Sequence, residues 1–222
     1  MVGICIFSPL AYTDAELTSL AECEGVPIRF GKGERERINK ISNPVGKALS
    51  LGGLCALGRA LNAAGVCEPS MPISRDKFGK PRFERGEPHF SIAHAGALSV
   101  AAVSDSGELG VDLERIDRAR DTERIASKFF SESEKRQLLG AEDRATEFYR
   151  IWTSKEAMMK LSGGGMVSVM SADSARAEER GEMSFARYAV SFEGEEYILT
   201  LCTDKAEQAE ILVSEGAWVA TL

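Results

Sequence analysis

The chain has 222 residues, of which 44% are hydrophobic and 27% are charged, so it can bury a substantial core as one large domain or two small ones. Its formal net charge of -7 and its isoelectric point near 5.1 argue against nucleic acid as the main partner, because nucleic-acid phosphates bind to basic surfaces. Apolar runs stay well below the roughly eighteen residues of a membrane helix, and the short apolar N-terminus lacks a basic stretch, so we expect neither a membrane span nor a signal peptide.

The first half of the chain is predicted to start with a strand over residues 1–8 and to continue mainly as helix. The helical segments are residues 13–23, a segment that begins within 31–37, and residues 45–64 after the break at Pro44. Residues 65–88 are rich in proline, glycine and charge and predict a loop with at most one short strand. Two strands then follow over 88–94 and 98–103, joined by a turn at Ala95-Gly96.

The second half is predicted to begin with a strand over 110–114 and to end in β-structure. Helices are predicted over 122–130, from a capping box at Ser131-Glu134 onward, and over 146–161 with an end at Ser162 and the glycines 163–165. A hairpin is predicted from 185–192 and 196–202, with closing strands at 211–213 and 218–222.

The five cysteines predict free thiols in a reducing compartment, and hence a cytoplasmic protein. They are scattered, odd in number, and lack CxxC or Cys/His ligand spacing. The residues are Cys5, Cys23, Cys55, Cys67 and Cys202.

Two short segments carry the chemistry of the chain. The first reads Gly110-Val111-Asp112-Leu113-Glu114, and in a strand Asp112 and Glu114 point to the same face, opposite to Val111 and Leu113. Two carboxylates so close repel each other unless a cation or a proton lies between them. By itself, however, such a pair is more often two surface acids at a strand edge.

The second segment reads Trp152-Thr-Ser-Lys-Glu-Ala-Met-Met-Lys160 and lies on the predicted helix 146–161. Trp152, Glu156 and Lys160 recur every fourth residue and therefore share one side of the helix. The helix is apolar on most of its circumference, so a charged Glu and Lys there need partners. They could be a simple surface ion pair, or they could join the strand carboxylates in a site for a divalent cation that holds a phosphate ester.

The two segments together resemble the signature of the 4'-phosphopantetheinyl transferases, in which a Gly-x-Asp-x-Glu strand is followed by a Trp-Ser/Thr-x-Lys-Glu-Ala-x-x-Lys helix. The resemblance is strong over about residues 80–165. It implies an α+β fold of two similar halves in one chain, related by a pseudo-twofold axis as in the surfactin-synthetase-activating type of the family. We place the halves at residues 1–105 and 106–222, with the metal and catalytic motifs in the second.

The resemblance also implies a role for each motif residue. Asp112, Glu114 and Glu156 would bind Mg²⁺, with Glu156 alternatively accepting the proton of the incoming hydroxyl. Lys160 would neutralise charge on the phosphates of coenzyme A, and Lys155 is a weaker candidate for the same task. We expect Glu156, Lys160 and Asp112 to be the catalytic residues.

Two further segments resemble the part of the family site that holds the nucleotide end of coenzyme A. Phe90-Ser-Ile-Ala-His94-Ala95 is similar to a Phe-Ser-hydrophobic-Ser-His-Ser pattern whose histidine lies near the 3'-phosphate, although Ala93 and Ala95 replace two serines. Gly79-Lys80-Pro81 is similar to a loop whose lysine binds the nucleotide. Lys47, Arg35 and Arg37 could complete a 3'-phosphate clamp, but a solvated face is the default for such residues.

The function implied by the resemblance is Mg²⁺-dependent transfer of the 4'-phosphopantetheine arm of coenzyme A to a serine of an apo acyl or peptidyl carrier protein. Adenosine 3',5'-bisphosphate would be released, and the pathway could be fatty-acid, polyketide or nonribosomal peptide synthesis. We expect a monomer that binds neither nucleic acid nor membrane. The alternatives are another Mg²⁺-dependent enzyme that acts on a phosphate anhydride, or a non-catalytic binder on the same fold.

Overall fold

A computed structural model of the protein describes residues 1–23, 29–164, 172–204, 209–213 and 217–222. The strands in these residues are β1 (Val2–Phe7), β2 (Ile73–Arg75), β3 (Pro81–Phe83), β4 (His89–Ala95), β5 (Leu98–Ser104), β6 (Leu109–Arg115), β7 (Ser184–Phe192), β8 (Glu195–Thr203), β9 (Ala209–Val213) and β10 (Ala217–Thr221). The α-helices in these residues are α1 (Asp14–Cys23), α2 (Gly31–Asn39), α3 (Pro44–Ala63), α4 (Thr122–Phe129), α5 (Glu132–Gly140), α6 (Arg144–Ser162) and α7 (Ser174–Glu179).

The strands form two four-stranded sheets and a two-stranded ribbon. The first sheet has the order β4-β5-β1-β9, the second has the order β10-β7-β8-β6, and the ribbon joins β2 to β3. All neighbours are antiparallel except β1 and β9, which are parallel. The order β4-β5-β1 in the first sheet matches β7-β8-β6 in the second, while β9 brings a late segment of the chain into the first sheet.

The two sheets pack face to face, and each carries a long helix on its outer face. Alternation along β1 makes the division clear: Ile4 and Ile6 belong to the core between the sheets, whereas Cys5 and Phe7 belong to the core under α3. In the second sheet, α6 packs on the outer faces of β6 and β8. The result is a helix–sheet–sheet–helix arrangement, in which the motif strand β6 lies directly under the motif helix α6.

Local sequence signals explain where the main helices begin and end. Asn43 caps α3 by accepting a hydrogen bond from Gly46 N, and Asp143 caps α6 in the same way. The predicted capping box of Ser131 and Glu134 is confirmed at the start of α5. Helix α6 ends at Gly163, whose φ of 64° lies in the left-handed region that favours glycine.

The predicted α+β class and most of the predicted elements are confirmed. The sequence prediction was wrong for 65–88, where β2 and β3 pair as a ribbon, and it missed the short helix α7. Gly165 lies outside the described residues. None of the helices in the described ranges combines the length and the apolar run that a bilayer span requires.

Candidate functional site

Gly110 brings the motif helix against the motif strand. Its backbone lies so close to α6 that a methyl group in place of its hydrogen would overlap the Ala157 carbonyl oxygen and crowd the Leu161 amide. Because alternate residues of a strand share a face, this approach also turns Asp112 and Glu114 toward α6. The first glycine of the motif is therefore required by packing.

Two side chains of α6 reach the carboxylates of β6. The Lys160 ammonium donates to Asp112 Oδ1 at 2.8 Å and to the Val111 carbonyl at 3.0 Å. One turn before Glu156, on the same side of α6, the Trp152 indole N–H donates to Glu114 at 3.2 Å. The indole itself packs against Phe129 and Phe148. The predicted common side of the helix is thus the side that faces the strand.

Glu156 lies between these contacts and completes a cluster of three carboxylates. Burial raises the pKa of Glu156, and the nearby charges of Asp112 and Glu114 raise it further, with Lys160 acting in the opposite direction. The pKa of Glu114 is raised for the same reasons, by burial and then by Asp112. Asp112 and Glu114 therefore both disfavour the ionised form of Glu156, as like charges do when they lie near one another in a partly desolvated place.

The two plainer interpretations of these residues do not fit the geometry. Asp112 is only 6% exposed, so it is not a surface acid at a strand edge. Burial raises its pKa, and the ion pair with Lys160 offsets part of that effect. Lys160 pairs with Asp112 rather than with Glu156, so the pair expected for a solvated helix face is not formed.

The Asp112 carboxylate has one oxygen to spare. Its Oδ2 is buried and has no hydrogen-bond partner among the described residues. A buried carboxylate oxygen left unpaired costs free energy unless a cation or a donor meets it. In the described ranges, no group of three or more His, Cys, Asp or Glu side chains has an arrangement that could hold a metal ion by itself. Mg²⁺ needs only one or two carboxylates beside substrate phosphates and waters, so the donor set present here suits it.

A cleft of about 210 Å³ opens beside Lys160, the partner of Asp112. The loop before β3, the strand β4 and the end of α6 form its walls. The lining residues are Phe78, Gly79, Lys80, Pro81, Phe90, Ser91, Ile92, Met159, Lys160, Gly163 and Gly164. Lys80 and Lys160, predicted from separate motifs, therefore line one cleft.

Lys80 has partners of its own in this cleft. Its ammonium donates to Glu108 at 2.7 Å and to the Leu161 carbonyl at 3.0 Å. Burial lowers the pKa of Lys80, and Glu108 acts against that effect. Arg82 also donates to Glu108, and His89 lies 3.4 Å from the same carboxylate. A ligand phosphate at Lys80 would therefore compete with Glu108.

His94 lies at the surface near the same carboxylates. Partial desolvation lowers its pKa, as do the charges of Lys160 and Arg37, whereas Asp112 acts in the opposite direction. Arg37 of α2 is thus one of the charges that act on His94. Ser91, earlier on β4, accepts a hydrogen bond from Val111 N at 3.0 Å and fixes β4 beside β6.

Lys155 and Lys47 do not lie at this cleft. Lys155 is 4% exposed, and its ammonium is bound by Glu134 at 2.9 Å and by the Ala172 carbonyl. It anchors α6 to α5, and we leave it out of the proposed ligand set. Lys47 is exposed and lines a different depression, beside Leu17 and Ile41.

Several residues at the site were missed by the sequence analysis. Glu108 occurs in a short polar turn that resembles any solvated segment. Only the acidic residue directly before the motif strand, Glu108, could have been suspected from its position. Trp152 belonged to the quoted motif, but its hydrogen bond to Glu114 has no signal in the sequence.

The fold and this site define an α+β protein with two packed sheets and a carboxylate–lysine cluster beside a basic cleft. The sequence profile described as the 4'-phosphopantetheinyl transferase superfamily matches residues 108–220, just over half of the chain. The chain therefore belongs to this superfamily.

Individual relatives agree with this result. The chain is 37% identical to the 4'-phosphopantetheinyl transferase AcpT of Salmonella typhimurium over 134 residues, which is 59% of this chain and 66% of that protein. It is 35% identical to 4'-phosphopantetheinyl transferase psf-1 of Bacillus pumilus over 144 residues, covering 58% and 59%. With 4'-phosphopantetheinyl transferase Sfp of Bacillus subtilis the identity is 32% over 115 residues, half of each chain. The matches thus span about half to two thirds of these relatives.

Proposed function

We propose that the protein transfers the 4'-phosphopantetheine arm of coenzyme A to a serine hydroxyl of an apo acyl or peptidyl carrier protein. The observation that carries this proposal is the cluster of Asp112, Glu114, Glu156 and Lys160 beside a cleft that also contains Lys80. Carboxylates next to two lysines suit a polyphosphate with a bound cation, and family membership gives the reaction class. The proposal places the reaction in the cytoplasm and requires only one copy of the chain.

Asp112, Glu114 and Glu156 are the residues that would hold Mg²⁺. The unpaired Oδ2 of Asp112 and the raised pKa values of all three carboxyl groups support this assignment. When bound, the cation would shield the pyrophosphate charge and stabilise the leaving phosphate. Lys160 already donates a hydrogen bond to Asp112, and it would add positive charge where the phosphate accumulates negative charge.

Glu156 is the proposed proton acceptor, as the alternative to its role as a third Mg²⁺ ligand. In the transfer, the serine oxygen forms a bond to the β-phosphorus of coenzyme A, and the bond from that phosphorus to the adenosine 3',5'-bisphosphate oxygen breaks. The serine proton passes to Glu156, directly or through a water. Because its pKa is raised toward neutral pH, the Glu156 carboxylate is a stronger base than an ordinary glutamate. It also forms no ion pair among the described residues.

The proposed orientation of coenzyme A follows the positions of the cations. Lys80 and His94 would bind the nucleotide end, and Lys160 the pyrophosphate. We further propose that the halves 1–105 and 106–222 are related by a pseudo-twofold axis, an idea supported by the matching order of β4-β5-β1 and β7-β8-β6.

The experiment that tests this function is incubation of an apo carrier protein with the enzyme, coenzyme A and Mg²⁺, followed by mass spectrometry. The expected result is a carrier that gains one phosphopantetheine group at its serine. A parallel reaction without carrier tests the alternative, because an enzyme that hydrolyses phosphate anhydrides would consume coenzyme A there as well. Unmodified carrier with either intact or hydrolysed coenzyme A would contradict the proposal.

A further inference from the structure

One charged residue far from the motifs is buried without belonging to the catalytic cluster. Glu34 lies on α2, in the charged segment Gly31–Asn39, yet it is only 3% exposed. Its neighbours Arg35 and Glu36 are exposed. A buried carboxylate is costly unless it is paired and hydrogen-bonded, so its partners deserve an explanation.

Both oxygens of Glu34 are occupied by arginines from two different elements. Arg37 Nε donates to one oxygen at 2.7 Å, and Arg75 Nε and Nη2 both lie 2.8 Å from the other. Arg75 belongs to β2, and its Nη1 donates to the Gly79 carbonyl at 2.8 Å. One carboxylate thus links α2 to the Gly79-Lys80-Pro81 loop.

The same carboxylate orients Arg37. It holds the guanidinium through Nε, and within the described residues the two terminal nitrogens have no hydrogen-bond partner. Arg37 also acts on His94, because its charge is one of the causes that lower the pKa of that histidine, after burial and the charge of Lys160. Its free nitrogens are therefore available to an anion at the His94 end of the site, where a guanidinium can bind phosphate oxygens in pairs.

We infer that Glu34 is a positioning residue for the phosphate of the nucleotide end of coenzyme A. It acts through Arg37, whose guanidinium it holds, and through Arg75, which holds the loop that carries Lys80. The inference rests on the proposed function and deepens it, because it identifies Arg37 as the α2 cation at that end in preference to Arg35 and Lys47. Two cations share a single negative charge, so this corner keeps a net positive charge despite the acidic chain.

The test compares Glu34→Gln with Glu36→Gln, a matched control on the same helix. The Glu36 carboxylate is exposed, and within the part of the chain that the structure describes it pairs with Lys32 alone. In Glu34→Gln the amide oxygen can accept from one arginine, but the amide N–H₂ faces the other, so one guanidinium is released. Loss of one oriented charge-assisted contact corresponds to a rise in the dissociation constant of coenzyme A of about 10-fold or more. Glu36→Gln is expected to bind like the wild type.

Dephospho-coenzyme A separates positioning from a general loss of structure. By calorimetry, the affinity of Glu34→Gln for this ligand, which lacks the 3'-phosphate, is expected to be nearly that of the wild type. In the transfer assay, kcat at saturating coenzyme A is expected to stay within about twofold of the wild type. Equal deficits for both ligands, or a lower melting temperature with unchanged coenzyme A affinity, would overturn the inference.

A second variant covers the case in which Glu34→Gln does not fold. Arg37→Gln leaves the Glu34–Arg75 pair intact and changes a side chain that is 37% exposed. It is expected to show the same selective loss for coenzyme A, and wild-type affinity in this variant would overturn the inference. If the wild type itself does not bind coenzyme A, the proposed function fails, which is a different result from failure of the role of Glu34.

Discussion

Replacement of Lys155 by methionine tests whether this motif lysine is a structural anchor. Glu134 is fully buried, and its partner Lys155 is 4% exposed. Without the ammonium, Glu134 keeps hydrogen bonds from Ser131 N at 2.8 Å and from Ser174 N and Oγ at 3.1 and 2.9 Å, but it loses its only counter-charge among the described residues. An uncompensated buried charge of this kind costs about 3–5 kcal/mol.

The matched control is Lys135→Met on the neighbouring helix α5. Lys135 pairs with Glu132 at 2.8 Å, but Glu132 is 79% exposed, so solvent screens that pair and it contributes little to stability. For a chain of this size, a loss of 1 kcal/mol in the free energy of unfolding lowers the melting temperature by about 2–4 °C. We therefore expect Lys155→Met to melt about 6–20 °C below the wild type. Lys135→Met should melt within about 4 °C of it.

Urea unfolding monitored by circular dichroism measures both variants as free energies. The double variant Glu134→Gln/Lys155→Met should recover part of the loss, because it removes both buried charges. If Lys155→Met and Lys135→Met differ by less than about 1 kcal/mol, the buried pair is not an anchor. That result would favour the other role of Lys155, the binding of coenzyme A phosphates.

Three further predictions test separate parts of the structure. Gly110→Ala should destabilise the protein by about 1–3 kcal/mol or more in urea unfolding, because the added methyl overlaps the backbone of α6. Gly33→Ala, on an open helix face, should be neutral or stabilising, and an equal effect at both positions would contradict the packing argument. Lys80→Ala should weaken coenzyme A binding by roughly 10- to 100-fold in calorimetry, with little loss for dephospho-coenzyme A. Burial raises the pKa of Cys202 to about 12, so at pH 8 its thiol stays protonated. A thiol reagent should therefore label the exposed Cys67 first, as measured by peptide mapping, and comparable labelling of both cysteines would refute this.

The sequence was sufficient for those features that depend on neighbouring residues. The capping box at Ser131 and Glu134 spans three positions, and the shared side of Trp152 and Lys160 follows from helical periodicity alone. Both were predicted, and both are present in the structure.

Features that depend on distant partners could not be predicted in this way. Lys155 lies 21 residues from Glu134, and only the packing of α5 on α6 shows that its side chain points there instead of toward the cleft. The same holds for Lys80 and Glu108, which are 28 residues apart. The sequence pattern around a charged side chain is the same whether that side chain contacts a ligand or a buried counter-ion. Hydropathy and periodicity do not specify its tertiary partner.

The raised pKa of Glu156 also predicts an effect on stability. Burial and two neighbouring carboxylates raise the pKa of Glu156, so its ionised form costs more free energy in the folded state than in the unfolded state. The stability associated with its protonated form is present below the unfolded pKa and is lost as the pH rises through the raised folded pKa. At neutral pH without metal, Glu156→Gln should therefore melt at or above the wild-type temperature, and a clear decrease would contradict this account.

The central claim is that Glu156 and its carboxylate neighbours serve phosphopantetheine transfer, and the most direct measurement is the rate of carrier modification by wild type and Glu156→Gln. Mass spectrometry of an apo carrier with coenzyme A and Mg²⁺ follows the reaction, and calorimetry of the same proteins follows coenzyme A binding. We expect the transfer rate of the variant to fall by ~10²-fold or more, the usual range for loss of a general base, while coenzyme A binding persists. A wild-type transfer rate in Glu156→Gln, or a wild-type protein that leaves the carrier unmodified, would contradict the claim.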